Sequence, residues 1–215
     1  ATTRRVDELN VGDEIPDVAG PLGSPVEIPD GGAHVVGVGG GFGAAALLCL
    51  MREIRARGNV ATAIVGARSK DLLILTEELK AVADHVEVCT DDGSAGFAGF
   101  VTQRLAQLIE GDPPGRPDQV VAIGPMPMMR AIAAATQGTG IRTLVSMDPL
   151  MVDGTGMCGG CRVIVDGQSR FACIDGPVFD GHLVDFDLAI RRNKAYVEQE
   201  KAAAERQACA TAEVG

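Results

Sequence analysis

The stretch His34-Val35-Val36-Gly37-Val38-Gly39-Gly40-Gly41-Phe42-Gly43, running on into residues 44–57, decides the fold. A short apolar run rich in β-branched residues ends in a glycine turn, and a helical pattern follows at once and stops at Gly58. Glycines at such a turn let the backbone approach a pyrophosphate, and a helix N-terminus favours its negative charge. Taken alone, the loop reads equally well as a tight turn without a ligand.

The same alternation continues outward. Apolar, strand-like runs lie at 34–39, 60–65, 86–90, 119–123 and 142–147, with helical patterns at 44–57, 72–83, 100–110 and 128–137. Asp71 reads as the N-cap of the second helix, and Gly138 as the stop of the fourth. Strands that are apolar throughout, alternating with helices, predict an α/β fold with a parallel sheet covered on both faces. Ligands of such sheets sit at the carboxyl ends of the strands. Those ends carry Gly39–Gly43, then Gly66-Ala67-Arg68-Ser69-Lys70, Thr90-Asp91-Asp92-Gly93-Ser94, and Gly124-Pro125-Met126-Pro127-Met128-Met129. Small, polar, glycine-bearing loops on one rim predict a nucleotide site, with Arg68 and Lys70 placed for an adenosine ribose or its phosphate.

Composition narrows the class. Hydrophobic residues make up 46% of the 215, enough for a core, so disorder is excluded as the main state. Nineteen Lys and Arg against 29 Asp and Glu give a net charge of -10, which repels phosphate backbones and argues against nucleic acid as a partner. The longest apolar run, 44–51, falls short of the ~18 residues of a membrane span. With no export signal at the start, the chain is expected to be cytoplasmic, and its six cysteines are expected to serve metal or redox chemistry rather than disulfides.

Three of those cysteines form the sharpest motif. Asp153-Gly154-Thr155-Gly156-Met157-Cys158-Gly159-Gly160-Cys161 reads D-x4-C-x2-C, and Cys173 follows. A plant-type 2Fe-2S site has C-x4-C-x2-C with a fourth cysteine further on, so an aspartate stands here in the first position. The glycines allow the loop to wrap a compact cluster and aim N–H groups at its sulfurs, and a carboxylate is a harder ligand than a thiolate. A structural zinc held by Cys158, Cys161, Cys173 and a fourth group such as His182 is the competing reading. Cys49 and Cys89 read as core residues, and Cys209 lies in the tail. Around the motif, 162–165 and 169–173 flank Asp166-Gly167 as a hairpin. A long charged helix is predicted from Asp185 to about Gln207, and residues 1–32 read as short strands and turns. His34 and His85 read as surface groups, and no Ser/His/Asp or Cys/His arrangement supports hydrolysis.

Gly12-Asp13, Gly20-Pro21-Leu22-Gly23, the glycine loop, Gly66-Ala67-Arg68, Asp91-Asp92-Gly93-Ser94, Gly124-Pro125 and the segment Asp153–Cys161 come in a familiar order. Cys173-Ile174-Asp175-Gly176-Pro177 and Phe179-Asp180-Gly181-His182 complete it. From about Val6 to Arg192 the chain resembles the small-subunit family of NADH-dependent reduced ferredoxin:NADP oxidoreductase, an electron-bifurcating transhydrogenase. That family is related to the electron-transfer subunit of class 1B dihydroorotate dehydrogenase, whose cluster ligands are four cysteines. The aspartate favours the transhydrogenase branch.

The resemblance implies a ferredoxin-reductase-like fold with a flavin barrel, a nucleotide domain and a C-terminal 2Fe-2S domain. Residues 1–32 would be the end of the barrel, 33–147 the NAD(P)-binding domain, 148–183 the cluster domain and 184–215 a helix and tail. The implied role is to pass electrons between NAD(H) or NADP(H), FAD and a larger iron–sulfur flavoprotein subunit, with ferredoxin as a further partner. Asp153, Cys158, Cys161 and Cys173 would hold the cluster. Gly39, Gly40, Gly41, Phe42 and Gly43 would take the pyrophosphate, Arg68 the adenosine end, and Asp92, Gly124 and Met128 the nicotinamide side. Two departures stand out: the Arg-x-Tyr/Phe-Ser/Thr flavin motif is absent, and Ala46 replaces a common proline. The barrel half of the FAD site is therefore expected from a longer chain or a partner, or the flavin is lost. The alternatives are a dihydroorotate dehydrogenase-type subunit and a non-catalytic, cluster-bearing adaptor.

Overall fold

The computed structural model describes residues 6–212. Its centre is a seven-stranded sheet built from β1 (His34–Gly40), β2 (Val60–Ala67), β3 (His85–Thr90), β4 (Phe97–Ala98), β5 (Gln119–Ile123), β6 (Arg142–Ser146) and β9 (Val178–Asp180). The order across the sheet is β4-β3-β2-β1-β5-β6-β9, and every pair is parallel except β6 with β9. The five expected strands are all present. β4 and β9 were not anticipated, because two- and three-residue strands carry too little alternation to be read from sequence.

Helices α1 (Gly43–Ala56), α2 (Thr76–Val82), α3 (Val101–Glu110) and α4 (Met126–Thr136) connect the strands. Successive strand residues point to opposite faces, so Val35 and Val36 serve different cores. On one face Val35, Ala61 and Val121 meet Leu47, Met51 and Ile54 of α1 and Leu79 of α2. On the other, Val36, Val38, Ile64 and Val120 meet Leu105 of α3 and Met129 and Ile132 of α4.

That second core does not end with the nucleotide-type sheet. It continues without a break into Cys161, Val163, Ala172, Cys173 and Phe179, and into Phe186 and Ala189 of α5 (Phe186–Asn193). The hairpin β7 (Arg162–Val165) and β8 (Gln168–Phe171) forms as expected, with Asp166 and Gly167 both at positive φ in its turn. A shared core of this kind fixes the cysteine-bearing segment against the sheet.

Four expectations need correction. Asp71 does not cap a helix over 72–83: Lys70–Leu72 forms a single 3-10 turn, Leu75 takes a left-handed conformation, and α2 begins only at Thr76. The chain spends residues 70–75 crossing the sheet rim before it can run back against the core. The charged segment from Asp185 is two helices, α5 and α6 (Val197–Ala212), and the second extends through residues expected to fray. Asp185 does cap α5, accepting the Leu188 N–H at 2.9 Å. Beyond Asn193 no residue of 194–196 is buried, so no core contact holds one continuous axis. Cys49 is exposed rather than core, because Leu47, Leu50 and Met51 take the buried face of α1; Cys89 is buried as expected, and the side chain of Cys209 lies outside those described.

The fourth correction concerns the start. Residues 6–32 contain no strand; instead the segment straps across the molecule. Ser24 donates from its N–H to the Gly176 carbonyl at 2.6 Å and from its hydroxyl to the Ile174 carbonyl at 3.1 Å. Gln119 donates to the Glu27 carbonyl at 2.9 Å, Arg142 pairs with Glu27, and Asn59 donates to the Pro29 carbonyl at 2.7 Å. Its backbone finds partners in loops and side chains, and an isolated strand without a neighbour is not stable in water.

Leu47 is wholly buried and packs across Gly37 of β1, so Leu47→Ala should lower the unfolding free energy by about 2–5 kcal/mol in a urea titration.

Candidate functional site

The glycine loop sits where β1, β5 and α1 converge, and the spacing there admits no side chain. A Cβ on Gly43 would lie 2.1 Å from the Ile123 carbonyl oxygen at the end of β5. A Cβ on Gly40 would lie 2.6 Å from the Met128 sulfur, and one on Gly66 would lie 2.4 Å from Val101. Gly41 adopts φ 55 and donates its N–H to the Gly66 carbonyl at 3.0 Å, tying the β1 turn to the end of β2. Phe42 points outward and is 90% exposed.

Two cavities flank this loop and share Gly40, Gly41, Phe42, Pro125 and Pro127. One, of about 740 Å³, opens towards β2 and is lined also by Arg68, Asp71, Asp91, Phe100 and Met128. The other, of about 610 Å³, opens towards β6 and is lined by Gly43, Ile123, Gly124, Ser146, Asp148 and Lys194 among others. Burial pushes the Asp148 carboxyl above its ordinary range. Asp148 and Lys194 were not singled out from the sequence. Lys194 lies in a charged helical segment, and only the packing of α5 brings it to the rim.

Most sequence-selected nucleotide residues gather here. Gly40, Gly41, Phe42, Arg68 and Met128 line the first cavity, and Gly43 and Gly124 the second, while a Cβ on Gly39 would press on Ala44 at 3.3 Å. Asp92 is the exception. β3 and β5 are three strand positions apart, roughly 14 Å, and Asp92 is not among the lining of either cavity. It lies beside the β2 end, where its N–H donates to the Arg68 carbonyl at 3.1 Å. Its carboxylate accepts from the Ser94 hydroxyl at 2.6 Å and the Ser94 N–H at 2.9 Å, and these bonds hold it below the usual carboxylate range.

The cysteine loop is built in two pairs. Cys161 and Cys173 are both buried, with their sulfurs 3.2 Å apart. That is too long for a disulfide. It is close to the roughly 3.7 Å expected for two thiolates on one tetrahedral metal at ~2.3 Å. The Cys161 thiol, bonded to Cys173, keeps the latter protonated above its usual range.

Asp153 and Cys158 form the second pair: the Cys158 N–H donates to the carboxylate at 2.8 Å, and the Thr155 N–H donates at 2.9 Å. The Thr155 bond, followed by those to Cys158, lowers the Asp153 pKa. The Gly160 N–H lies 3.4 Å from the Cys158 sulfur and points at it. Gly154, Gly156 and Gly159 all have positive φ, and a Cβ on Gly156 would meet Ile174 at 1.9 Å. Among the described residues no three Cys, His, Asp or Glu side chains converge tightly on one point. His182 does not join the cysteines; its Nε2 lies 2.9 Å from the Thr136 hydroxyl, at the end of α4, which removes the fourth ligand of the zinc reading.

Fold and site together define a class: a ferredoxin-reductase-like α/β protein whose nucleotide-type sheet carries a cysteine-rich electron-transfer loop. Comparison with known proteins narrows it. Residues 148–185 match the family model for the iron-sulfur cluster binding domain of dihydroorotate dehydrogenase B. The chain is 45% identical over 205 residues to a Thermotoga maritima dihydroorotate dehydrogenase B (NAD(+)) electron transfer subunit homolog, covering 95% of this chain and 71% of that protein. It is 36% identical over 184 residues to the probable corresponding subunit of Methanocaldococcus jannaschii, covering 86% and 68%. Among solved structures, it superposes with a TM-score of 0.85 and 43% identity on a chain of the NADH-dependent reduced ferredoxin-NADP oxidoreductase studied for flavin-based electron bifurcation, covering 96% and 73%. The chain belongs to the family of dihydroorotate dehydrogenase B-type electron-transfer subunits and their homologues, a family of oxidoreductase subunits. No helix among the described residues is long and apolar enough to cross a membrane.

Two predictions rest on this geometry. Alanine for glycine ordinarily stabilises a helix, but Gly43→Ala drives a methyl into the Ile123 carbonyl; it should cost about 1–3 kcal/mol in urea unfolding and weaken nucleotide binding measured by calorimetry. Because the Asp92 pKa is lowered in the folded state, its bonds to Ser94 are present above the ordinary carboxylate pKa of ~3.9 and are lost only as pH falls through the lower folded value. The Ser94 amide resonance in an NMR titration should therefore hold steady from pH 7 to about 4 and move below it, and Asp92→Asn should abolish that movement.

Proposed function

We propose that this chain is the electron-transfer subunit of an NAD(P)H-dependent iron–sulfur flavoprotein complex. The observation that carries the reading is the pair of buried thiols, Cys161 and Cys173, side by side at 3.2 Å within a loop that also pairs Asp153 with Cys158. A two-iron cluster calls for two ligand pairs, and the chain supplies one of two thiols and one of a carboxylate and a thiol. Asp153 and Cys158 would hold one iron, and Cys161 and Cys173 the other. Bound there, a 2Fe-2S cluster would supply one-electron transfer, which a hydride donor alone cannot.

The residues of the sheet rim do the rest. The Gly39–Gly43 turn would let a pyrophosphate approach the α1 N-terminus closely, with the Gly41 N–H holding the turn to Gly66. Arg68, with Asp71 and Asp91 around the same cavity, would face the adenosine end. Gly124 would border the nicotinamide side, whose cavity reaches Ser146 and Asp148 just ahead of the cluster loop, with Met128 beside it on the wall of the first cavity. The FAD that mediates between nucleotide and cluster would meet this second cavity, with the barrel half of its site outside the residues seen here. On this reading residues 33–147 form the NAD(P)-binding domain, 148–183 the cluster domain and 184–215 the C-terminal helices, with 1–32 leading in from the flavin side. A larger iron–sulfur flavoprotein subunit is the partner, ferredoxin a further one, and the cytoplasm the place of work. The aspartate at 153 favours the transhydrogenase-type complex over the dihydroorotate dehydrogenase type.

Anaerobic reconstitution followed by iron and sulfide analysis tests the site. The expected result is about two irons and two sulfides per chain with a 2Fe-2S visible spectrum, lost in Cys173→Ser and lost or destabilised in Asp153→Ala. Full iron content in Asp153→Ala would remove that carboxylate from the ligand set. Failure of NADH to bleach the cluster in the complete complex would sink the nucleotide-to-cluster reading.

A further inference from the structure

A third cavity, of about 420 Å³, borders the cysteine loop and α5. Its lining combines apolar Pro149, Leu150, Val152 and Val163 with polar Arg162, Arg192, Asn193 and Tyr196, and includes Cys158 and Gly160 of the cysteine loop. Arg162 reaches it from β7: its guanidinium would lie 3.4 Å from a Cβ on Gly159, so it sits over the loop itself. Arg192 arrives from the last turn of α5, an element held in place by buried Phe186 and Ala189.

Arg130 pairs with Asp187 at 2.9 Å, and Arg170 donates to Gln168 at 3.0 Å. Among the described residues neither Arg162 nor Arg192 has an ion pair or a side-chain hydrogen bond. Both guanidinium groups line this one cavity, in a chain whose net charge of -10 leaves carboxylates in excess.

We propose that this cavity is a carboxylate-binding site beside the cluster loop, in which Arg162 and Arg192 take the carboxylate and the apolar lining takes the short chain that bears it. Guanidinium forks match a carboxylate in geometry as well as charge, and the two side chains are then relieved of their mutual repulsion. The carboxylate can come from an acidic side chain of the partner subunit or from a free small acid; the chemistry of the site is the same. Because Cys158 lines it, an anion bound here would also add negative charge beside a cluster held by that residue and disfavour its one-electron reduction. That second consequence rests on the cluster reading above; the binding itself does not.

Malonate is the probe, titrated calorimetrically into the loaded protein against chloride at equal ionic strength. The expected result is saturable binding with a stoichiometry of one, reduced about tenfold or more in Arg162→Gln and in Arg192→Gln. Arg192→Lys should restore only part of it, since charge returns without the fork. Malonate heats equal to those of chloride, or binding unchanged in both glutamine variants, would overturn the site. A spectroelectrochemical titration should show the midpoint potential falling with malonate and levelling off, with no such response in the glutamine variants. Binding without any change in potential would leave the site standing and remove its link to the cluster. In the assembled complex, an about tenfold weaker association of Arg192→Gln at fixed salt assigns the carboxylate to the partner; unchanged association assigns it to a free acid.

Discussion

The structure depends on how closely the turn after β1 lies against the end of β5. Gly43 leaves no room for a methyl in front of the Ile123 carbonyl, and Gly40 lies under the Met128 sulfur. That approach sets the angle at which α1 leaves the sheet, and so the alignment of Leu47, Met51 and Ile54 with one hydrophobic core. It also opens the two cavities on either side of the loop, because a backbone pressed against β5 leaves free space towards both β2 and β6. One close contact thereby serves folding and ligand geometry together.

The second organising feature is a core shared between sheet and cysteine loop. Cys161 and Cys173 are buried with Val163, Ala172 and Phe179 in the same cluster as Met129 and Ile132 of α4. The bond between His182 and Thr136, continued from the Thr143 hydroxyl to Thr136 at 2.6 Å, adds a polar link across the same junction. A loop that hands on electrons must hold its distance to the nucleotide site, and packing of this kind resists sliding because interiors are dense. The strap at residues 22–27 reinforces it from outside, with Ser24 holding the Ile174–Gly176 turn and Glu27 reaching Gln119 and Arg142. Exposed Val152, Met157, Leu22 and Ile174 around the cysteine loop leave an apolar surface next to exposed Cys158, where an electron-transfer partner has the shortest approach.

Much of this was legible in the chain itself. The five long strands show because each carries a largely apolar run, and the glycine turn shows because a Cβ at Gly40 or Gly43 would clash. The D-x4-C-x2-C motif shows because metal ligation needs fixed spacings within a loop. What sequence could not supply is anything set by distance across the sheet. Asp92 reads like a neighbour of Gly124 on the rim, yet strand order places three positions between them. Cys49 reads as core because its neighbours are apolar, yet a helix has one buried stripe and Leu47, Leu50 and Met51 occupy it.

The sequence by itself therefore determined the alternation of strand and helix, the glycine turn and the D-x4-C-x2-C pattern, since all three follow from local conformation and short spacing. Tertiary structure alone decided that Cys161 lies beside Cys173, that the Cys158 N–H meets the Asp153 carboxylate, and that His182 turns to Thr136 instead. It alone brought Asp148 and Lys194 to the rim, and Arg162 and Arg192 to one cavity. These are meetings between elements far apart in the chain, and only the packing of α5 and the hairpin against the shared core brings them about.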